Sequence, residues 1–399
     1  MTSPVSSAPM VRLGIVGVGN MGSHHARTAA DGLIEGCELA ALCDIDPSRA
    51  EGFPETPFFT SHREMLRSGL VDAVLVATPH YSHLPIGRDA LQAGCHLLME
   101  KPLTVHKAEA ERLLAVPRKK GQIFGAMFNQ RTDPYYLKIR EMVQGGTLGA
   151  IHRIQWTITD WFRTEAYYRS ADWRATWATE GGGVLLNQCV HNIDLFQWIF
   201  GLPLKVRALC QLGRFHDIEV EDAVSAIFEF PDGATATFTT STGEAPGINR
   251  LEIAGENGLL VLEKDTLVFR RNAVPASQFS KECPEGYLRP EAWQVTIPLP
   301  DHRGGQHREV LQNFIHAIRT GAPLIAPAEE GLRSVELMNA ILMASVQDRT
   351  VSLPLSSSAF ARVLRGLISS SRPRKLPAIS SKKWSTKHDF GAVSRKSSH

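Results

Sequence analysis

The sequence predicts an α/β fold in two parts, a doubly wound parallel sheet followed by an α/β domain with a largely antiparallel sheet. In the first third of the chain, short apolar runs alternate with helical patterns, which is typical of βαβ units. From about Ile151 onward, apolar and polar residues alternate within each run, and tight turns such as Pro231-Asp232-Gly233 separate some runs. This alternation favours antiparallel strands with one buried face. The length of 399 residues fits two domains.

The first part divides into five strands and three helices. Each predicted strand is a short apolar run, whereas the predicted helices repeat their apolar residues at helical spacing. The second helix stops at Gly94, because glycine readily adopts the left-handed conformation that closes a helix. The predicted strands are Val11–Val16, Cys37–Cys43, Val71–Ala77, His96–Met99 and Gln122–Phe128, and the helices are Met21–Ala30, Leu84–Ala93 and Lys107–Ala115.

The second part contains seven predicted strands and three predicted helices. One of these helices is followed by Gly201 and Pro203, and another by Gly321, both of which are helix-terminating signals. The strands are Ile151–Thr159, Val206–Leu212, Ser225–Phe230, Ala234–Thr240, Leu251–Ala254, Leu259–Leu262 and Val351–Leu355, and the helices are Gly183–Phe200, Gln306–Arg319 and Glu329–Ser345.

Charge is distributed unevenly along the chain. The formal net charge is +2, but residues 360–399 contain ten Lys or Arg and one acid, so the remainder is acidic. We expect residues 1–9 and the basic tail 356–399 to be disordered, because they contain too few apolar residues to pack. Few aromatic residues lie among the basic ones, so we expect the tail to be solvated and not to bind nucleic acid.

The apolar and cysteine patterns exclude several classes of protein. No apolar run has the length of a membrane-spanning helix, and the first residues do not form a secretory signal. The six cysteines are scattered, with no Cys-x-x-Cys pair. We therefore expect a cytoplasmic protein with no membrane contact, no disulfide framework and no metal site.

A glycine-rich motif follows the first predicted strand and opens the first predicted helix. Such glycines let the backbone approach a pyrophosphate at a helix N-terminus, so the motif predicts a dinucleotide site. Asp44, at the end of the next strand, can bind both ribose hydroxyls of NAD and would repel the 2′-phosphate of NADP. We expect NAD as the cofactor, although the nearby Arg49 leaves NADP open. The motif residues are Gly17, Gly19, Asn20, Met21 and Gly22.

Two further loops follow the third and fourth predicted strands. Ligands of open parallel sheets bind beyond the carboxyl ends of the strands, so both loops are placed to contact the cofactor. A lysine at this edge can hydrogen-bond a substrate oxygen and stabilise charge that builds on it, and a neighbouring Glu could hold the ammonium. The candidates in the first loop are Thr78, Pro79, His80 and His83, and those in the second are Glu100 and Lys101.

The second domain adds a polar pair and an aromatic segment. Asn187 and His191 are four residues apart in a predicted helix that follows three glycines, so we expect them on one face. Aromatic rings stack on the apolar faces of sugars, and Arg or Tyr donors bind hydroxyls; alternatively, such a segment packs between domains or subunits. The candidates in the segment 161–177 are Arg163, Tyr168, Trp173 and Arg174.

Taken together, these motifs give the chain a resemblance to the Gfo/Idh/MocA oxidoreductases. The resemblance covers about residues 10–355 and rests on the order and spacing of GVGNMG, Asp44, ATPHYSHLP, AGCHLLMEKP and GGGVLLNQCVHNIDLFQW. It implies an NAD-binding Rossmann domain at 10–128 and a substrate and oligomerisation domain with an open mixed sheet at 129–355. By match to the family motifs, Lys101 is the catalytic lysine and His191 exchanges a proton with the reacting hydroxyl.

The chain departs from the family pattern at two positions. Many members have Asp where this chain has Asn187, and many have Asn where it has His80. Since Asn carries no charge, we expect Asn187 to bind a substrate hydroxyl, which leaves proton transfer to His191 and Lys101.

The resemblance implies an NAD(P)-dependent dehydrogenase acting on a secondary alcohol of a sugar, glycoside or cyclitol. Two alternatives stay open: a sugar oxidoreductase or oxidative glycosidase that keeps its NAD bound, and a non-catalytic NAD- or sugar-sensing regulator. An uncovered sheet face needs a partner, so we expect a homodimer or homotetramer formed through the sheet of the second domain.

Overall fold

A computed structural model describes residues 9–371, which form two sheets with helices packed against them. The first sheet has six strands in the order β3-β2-β1-β4-β5-β6, and every pairing in it is parallel. The strand order reverses between β1 and β4, which is where ligands bind in doubly wound sheets. The strands are β1 (Val11–Val16), β2 (Cys37–Cys43), β3 (Phe58–Phe59), β4 (Ala73–Val76), β5 (His96–Met99) and β6 (Phe124–Ala126).

The helices that connect these strands pack on both faces of the sheet. A parallel sheet covered in this way needs strands that are apolar throughout, and all four residues of β4 are buried. The predicted doubly wound parallel sheet is confirmed. Its connecting helices are α1 (Asn20–Ala30), α2 (His62–Arg67), α3 (His83–Ala93) and α4 (Lys107–Leu114).

The second sheet has nine strands in the order β14-β13-β12-β11-β7-β10-β9-β8-β15. Only β7 and β10 pair in parallel, so the sheet is mixed and largely antiparallel, as predicted. The strands are β7 (Ile151–Ile158), β8 (Lys205–Leu212), β9 (Glu221–Glu229), β10 (Thr235–Ser241), β11 (Asn249–Gly255), β12 (Gly258–Glu263), β13 (Thr266–Asn272), β14 (Ala292–Ile297) and β15 (Val351–Ser352).

Among the described residues, only one face of the second sheet is covered. Trp156, Phe228 and Phe238 are buried on it, whereas Leu209 and Ile227 are exposed on the other face. Among residues 9–371, no helix has the length and apolar character needed to cross a membrane. The helices of this part are α5 (Pro134–Gln144), α6 (Glu165–Tyr168), α7 (Val190–Phe200), α8 (Ala276–Glu282), α9 (Gln306–Thr320), α10 (Ala328–Val346) and α11 (Ser357–Ser370).

Helix α9 lies in the second half of the sequence but packs with the first sheet. Its Phe314 and Ile315 share a buried cluster with Leu13 and Ile15 of β1. The predicted assignment of 129–355 to a single substrate domain is therefore wrong for this helix, because its apolar stripe completes the core of the cofactor domain.

The prediction of disorder from residue 356 onward is also wrong in part. Residues Ser357–Ser370 form α11, whose Phe360 and Leu364 are buried against α4 and α10. These two apolar residues are four apart, so they share one helix face and give the segment a stripe that can pack. Residues 1–8 and 372–399, which include most of the predicted basic tail, lie outside the described residues.

Candidate active site

The glycine motif forms a tight turn between β1 and α1. Gly17 has φ +90°, and a Cβ on Gly22 would lie 1.7 Å from the Gly17 carbonyl oxygen, so neither position accepts a side chain. The space beside Gly19, at the N-terminus of α1, is open. A closely packed turn with a clear helix N-terminus is what a pyrophosphate needs, so these residues fit a dinucleotide.

Asp44 holds this turn from the end of β2. Its Oδ2 accepts a hydrogen bond of 2.7 Å from the Val18 amide, and its Oδ1 accepts one of 3.0 Å from the Asp46 amide. Arg49 pairs with Asp46 at 3.3 Å, so its charge is partly neutralised. The carboxylate thus lies beside the glycine turn, where a ribose would bind.

The loop after β4 contains two histidines in different environments. His80 Nδ1 donates to the Glu180 carbonyl at 3.0 Å, and burial, with lesser effects from His83 and Lys101, lowers the pKa of His80 to about 3. His83 is fully buried, and each of its ring nitrogens lies 2.9 Å from a carbonyl oxygen, one of Thr78 and one of Pro102. We predicted a cofactor contact for His83, but the ring links two turns and leaves no nitrogen for a cofactor.

Lys101 lies just beyond β5, and its peptide bond to Pro102 is cis. Its Nζ donates to the Asn187 carbonyl oxygen at 3.2 Å, which brings the two domains together at this point. Burial lowers the pKa of Lys101 below its usual 10.5, although the carboxylates of Glu100 and Glu180 act in the opposite direction.

The neighbouring Glu100 is held by α1. His25 Nε2 donates to its Oε1 at 2.8 Å, and the Lys101 amide donates to its Oε2 at 3.1 Å. Burial alone would raise the pKa of Glu100, but the hydrogen bond from His25 and the nearby His307 and Lys101 lower it to about 2. The charged carboxylate therefore fixes the backbone of Lys101.

The segment with the polar pair is not the continuous helix that we predicted. Helix α7 begins at Val190, and residues 183–189 form successive turns. Glu221 of β9 holds the start of this segment, since its Oε1 accepts from the amides of Gly183 at 2.9 Å and Leu185 at 3.1 Å. The helical pattern breaks at Cys189, whose amide donates to the carbonyl of Val184, five residues back, at 2.7 Å. Asn187 therefore lies in a turn and not on the face of α7.

His191 lies in the first turn of α7 with 8% of its surface exposed. Its Nδ1 is buried without a hydrogen-bond partner in the structure. Burial, together with the charge of Lys101 and the nearby His307, holds the pKa of His191 well below 6.5. The ring is therefore neutral near pH 7 and able to accept a proton.

Glu180 and Tyr167 complete the candidate site; Tyr167 belongs to the aromatic segment 161–177 of the sequence analysis, whereas Glu180 was not predicted. Glu180, which is 2% exposed, accepts from the Asn187 amide at 2.5 Å and from the Ala175 backbone amide at 2.5 Å. The Tyr167 hydroxyl accepts from Arg174 at 2.8 Å and from Gln188 at 2.9 Å. Glu180 stands directly before Gly181-Gly182-Gly183, and this position was the one indication of its role that the sequence offered. A carboxylate next to a glycine run, where two backbone segments approach each other closely, often holds one of these segments in place.

The aromatic segment contributes unequally to this site. Trp173 lies edge-on to His80 with 5.9 Å between ring centres, and Arg163 and Arg174 both lie over the Tyr167 ring. Tyr168 is 3% exposed and its hydroxyl bonds Thr242 at 2.7 Å. We predicted a substrate contact for Tyr168; its burial assigns it to the core instead.

The Glu221 carboxyl gives a stability prediction. Burial raises its pKa from 4.5 to about 7, and its Oε2 has no partner in the structure. A raised folded-state pKa means that the folded protein binds more protons than the unfolded chain, so this contribution is lost as pH rises from about 4.5 through 7. Glu221→Gln removes the ionisation, and we expect it to be more stable than wild type by about 3 kcal/mol at pH 8 but not at pH 4.

Urea unfolding of both proteins at pH 4 and pH 8 measures this difference. Glu229→Gln is the matched control, because Glu229 is an exposed residue of the same strand that pairs with Lys205. An equal stability difference at both pH values would show that Glu221 does not titrate in the folded protein.

Comparison with known protein families covers both domains. A model described as an oxidoreductase family with an NAD-binding Rossmann fold matches residues 11–128. A model described as the GFO/IDH/MocA C-terminal domain matches residues 136–261.

Curated relatives align over most of their length. The myo-inositol 2-dehydrogenase of Thermotoga maritima is 24% identical over 355 residues, which cover 86% of this chain and 98% of that protein. The scyllo-inositol 2-dehydrogenase (NADP(+)) of Bacillus subtilis is 26% identical over 358 residues, which cover 86% of this chain and 96% of that protein.

Solved structures share the fold. The WlbA dehydrogenase of Bordetella pertussis, solved with NADH and UDP-GlcNAcA, superposes with a TM-score of 0.73 at 25% identity, covering 87% of this chain and all of that one. A levoglucosan dehydrogenase solved with NADH and levoglucosan gives a TM-score of 0.71 at 21% identity, covering 86% of this chain and all of that one.

Proposed function

Because the chain belongs to the Gfo/Idh/MocA oxidoreductases, we propose that it is an NAD-dependent dehydrogenase for a secondary alcohol of a sugar, glycoside or cyclitol. The observation that carries this proposal is the convergence of Lys101, Asn187 and His191 beyond β5, next to Glu100, which bonds His25 of α1. Inositol dehydrogenases among the curated relatives support a polyol substrate.

In the proposed reaction, Lys101 and His191 divide the work on the hydroxyl group. The Lys101 ammonium donates to the hydroxyl oxygen and stabilises negative charge on it, a role for which it exchanges its bond to the Asn187 carbonyl. His191 takes the hydroxyl proton, since its ring is neutral and Nδ1 has no partner in the structure. When bound, NAD supplies the acceptor for the hydride that leaves the alcohol carbon.

Other side chains bind and orient the ring. Asn187 binds a second hydroxyl while Glu180 holds its amide group, and this hydrogen bond to a carboxylate fixes the carboxamide orientation. Trp173, next to His80, offers an aromatic face to the sugar. Glu100 acts on the reaction through the backbone of Lys101.

The preference for NAD is attributed to Asp44. A carboxylate binds two ribose hydroxyls and repels a 2′-phosphate, whereas Asn at this position still accepts the bond from the Val18 amide. We expect Asp44→Asn to reduce the NAD-to-NADP ratio of kcat/KM about tenfold. Initial rates with both cofactors measure the ratio, and Asp31→Asn, at the exposed far end of α1, is the control. An unchanged ratio would assign the preference elsewhere.

A substrate screen tests the proposed function. Purified protein is mixed with NAD or NADP and a panel of sugars, glycosides and inositols at several pH values, and absorbance of the reduced cofactor is followed. Multiple turnovers with release of NADH support a dehydrogenase. A single turnover that leaves NADH bound would indicate an enzyme that re-reduces its own intermediate, and no reduction with any compound would contradict both.

We also propose that the uncovered face of the second sheet binds another copy of the chain. Leu209 and Ile227 are exposed side by side on β8 and β9, where Arg207 pairs with Ile227 and Leu209 with Ser225. Light scattering of wild type and Ile227→Lys measures the oligomeric state, and an unchanged mass would place the contact elsewhere.

A further inference from the structure

Two arginines lie beside the candidate site without a carboxylate partner. Arg174 donates to the Tyr167 hydroxyl at 2.8 Å and to Ser170 Oγ at 3.2 Å, and Arg163 donates to the Phe162 carbonyl at 2.8 Å. Both side chains are half-buried, and neither forms an ion pair within residues 9–371.

Both guanidinium groups lie against the same aromatic ring. Arg174 lies 4.4 Å and Arg163 lies 5.2 Å from the centre of the same Tyr167 ring. The Tyr167 hydroxyl is also 3.4 Å from the Asn187 amide nitrogen, and Asn187 accepts the bond from Lys101. The pair therefore adjoins the polar centre of the site, and both charges act with burial to lower the pKa of Lys101.

The carboxylates nearest to these arginines either accept hydrogen bonds from other groups or lie too far away to form an ion pair. Glu180 interacts with Arg174 electrostatically, but both of its oxygens accept from Asn187 and Ala175. Asp160 interacts with Arg163 at longer range without forming an ion pair. Lys101, Arg163 and Arg174 thus bring three positive charges to one part of the site, where the carboxylates of Glu100 and Glu180 already accept hydrogen bonds from other groups, so an added anion is favoured there.

We infer that the substrate carries an oxyanion, a carboxylate or a phosphate, that binds between Arg163 and Arg174. Planar guanidinium groups match such oxyanions with paired hydrogen bonds, and rings stacked beneath them limit their side-chain motion. The ring would lie between this anchor and Lys101, so the charged substituent and the reacting hydroxyl are on different carbons. This inference rests on the proposed function, since it specifies the substrate class of the same site.

Binding without turnover tests the inference. Calorimetric titrations use protein saturated with NADH, so that alcohols bind but are not oxidised. The probes are D-glucuronate, D-galacturonate and glucose 6-phosphate, each compared with neutral D-glucose or D-galactose. We expect at least one acidic sugar to bind about tenfold tighter than its neutral counterpart. The uronates and the phosphate distinguish the two oxyanions.

Three substitutions locate the preference. We expect Arg163→Gln and Arg174→Gln each to reduce it about tenfold, whereas Arg169→Gln retains it. Arg169 is a suitable control because it lies in the same segment but is exposed and pairs with Glu165. Equal affinity for acidic and neutral sugars, including no binding by either, overturns the inference, and so does a preference that persists in both variants.

Failure of this inference can be told apart from failure of the proposed function. Turnover of neutral sugars without a preference for acids overturns the oxyanion anchor alone. Arginine-dependent binding of acidic sugars without any reduction of NAD contradicts the dehydrogenase and leaves the anchor standing.

Discussion

Replacing Lys101 with methionine is expected to reduce kcat for alcohol oxidation about a thousandfold while NAD affinity changes little. In the proposed reaction the ammonium stabilises charge on the reacting oxygen, and its loss removes both that interaction and a proton donor. We expect the dinucleotide to bind at the turn of Gly17–Gly22 and at Asp44, whereas Lys101 bonds Glu100 and Asn187. Methionine has a similar length and replaces the charge with an apolar end.

Two measurements separate chemistry from cofactor binding for this variant. Initial rates give kcat with the best substrate of the panel, and quenching of tryptophan fluorescence gives the NADH dissociation constant. Lys138→Met is the control, because Lys138 pairs with Glu141 on exposed α5. A Lys101→Met enzyme with near wild-type kcat would remove Lys101 from the reaction.

The features predictable from the sequence were those encoded by neighbouring residues. The glycine turn, the strand β1 before it and the helix α1 after it follow from the consecutive residues 11–30, and the structure has them within one residue. The same holds for Lys101 at the end of β5, because a short apolar run followed by a polar residue predicts a strand and its carboxyl end.

The errors arose where distant residues decide the local structure. Glu221, far along the chain, binds the amides of Gly183 and Leu185 and so fixes the segment that precedes α7. Similarly, Thr242 and the Pro102 carbonyl form hydrogen bonds that hold the buried side chains of Tyr168 and His83 in place. The spacing of apolar residues and the composition of a segment do not predict hydrogen bonds to residues so far away in the sequence.

Glu180 shows how the site depends both on neighbouring residues in the sequence and on contacts that only the fold creates. The chain has Asn187 where a charged residue was expected, and in the sequence alone this looks like the loss of a carboxylate. In the folded protein Glu180 supplies a carboxylate at this place. It bonds the Asn187 amide and lies close enough to raise the pKa of Lys101 against the effect of burial. The carboxylate of this part of the site therefore belongs to Glu180, which lies behind Asn187.

His191→Asn is expected to reduce kcat for alcohol oxidation about a hundredfold or more near neutral pH, with the smallest loss at low pH, where the wild-type His191 is itself protonated. Asparagine keeps a polar group at the start of α7 but does not accept a proton at any relevant pH. Initial rates and NADH affinity are measured as for Lys101. A loss of NADH affinity of the same size as the loss of kcat would show that His191 supports the fold or the cofactor instead.

The pH dependence of kcat/KM in the wild-type enzyme is expected to follow the pKa shifts of His191 and Lys101. Burial and the charge of Lys101 hold the pKa of His191 well below 6.5, so its basic form persists in mildly acidic solution and kcat/KM is expected to begin falling only at a pH well below 6.5. Burial also lowers the pKa of Lys101, so its charged form is lost as pH rises toward a value below 10.5, and activity falls on that side.

Lys101→Arg separates the two limbs of this profile. An arginine stays protonated, so the basic limb is expected to move to higher pH or disappear, at a lower maximal rate, while the acidic limb stays with His191. In His191→Asn the acidic limb is expected to disappear and the basic limb to remain. An acidic limb that survives this substitution would assign the proton acceptor to another group, of which the nearby buried carboxyl of Glu180 is the strongest candidate because burial raises its pKa.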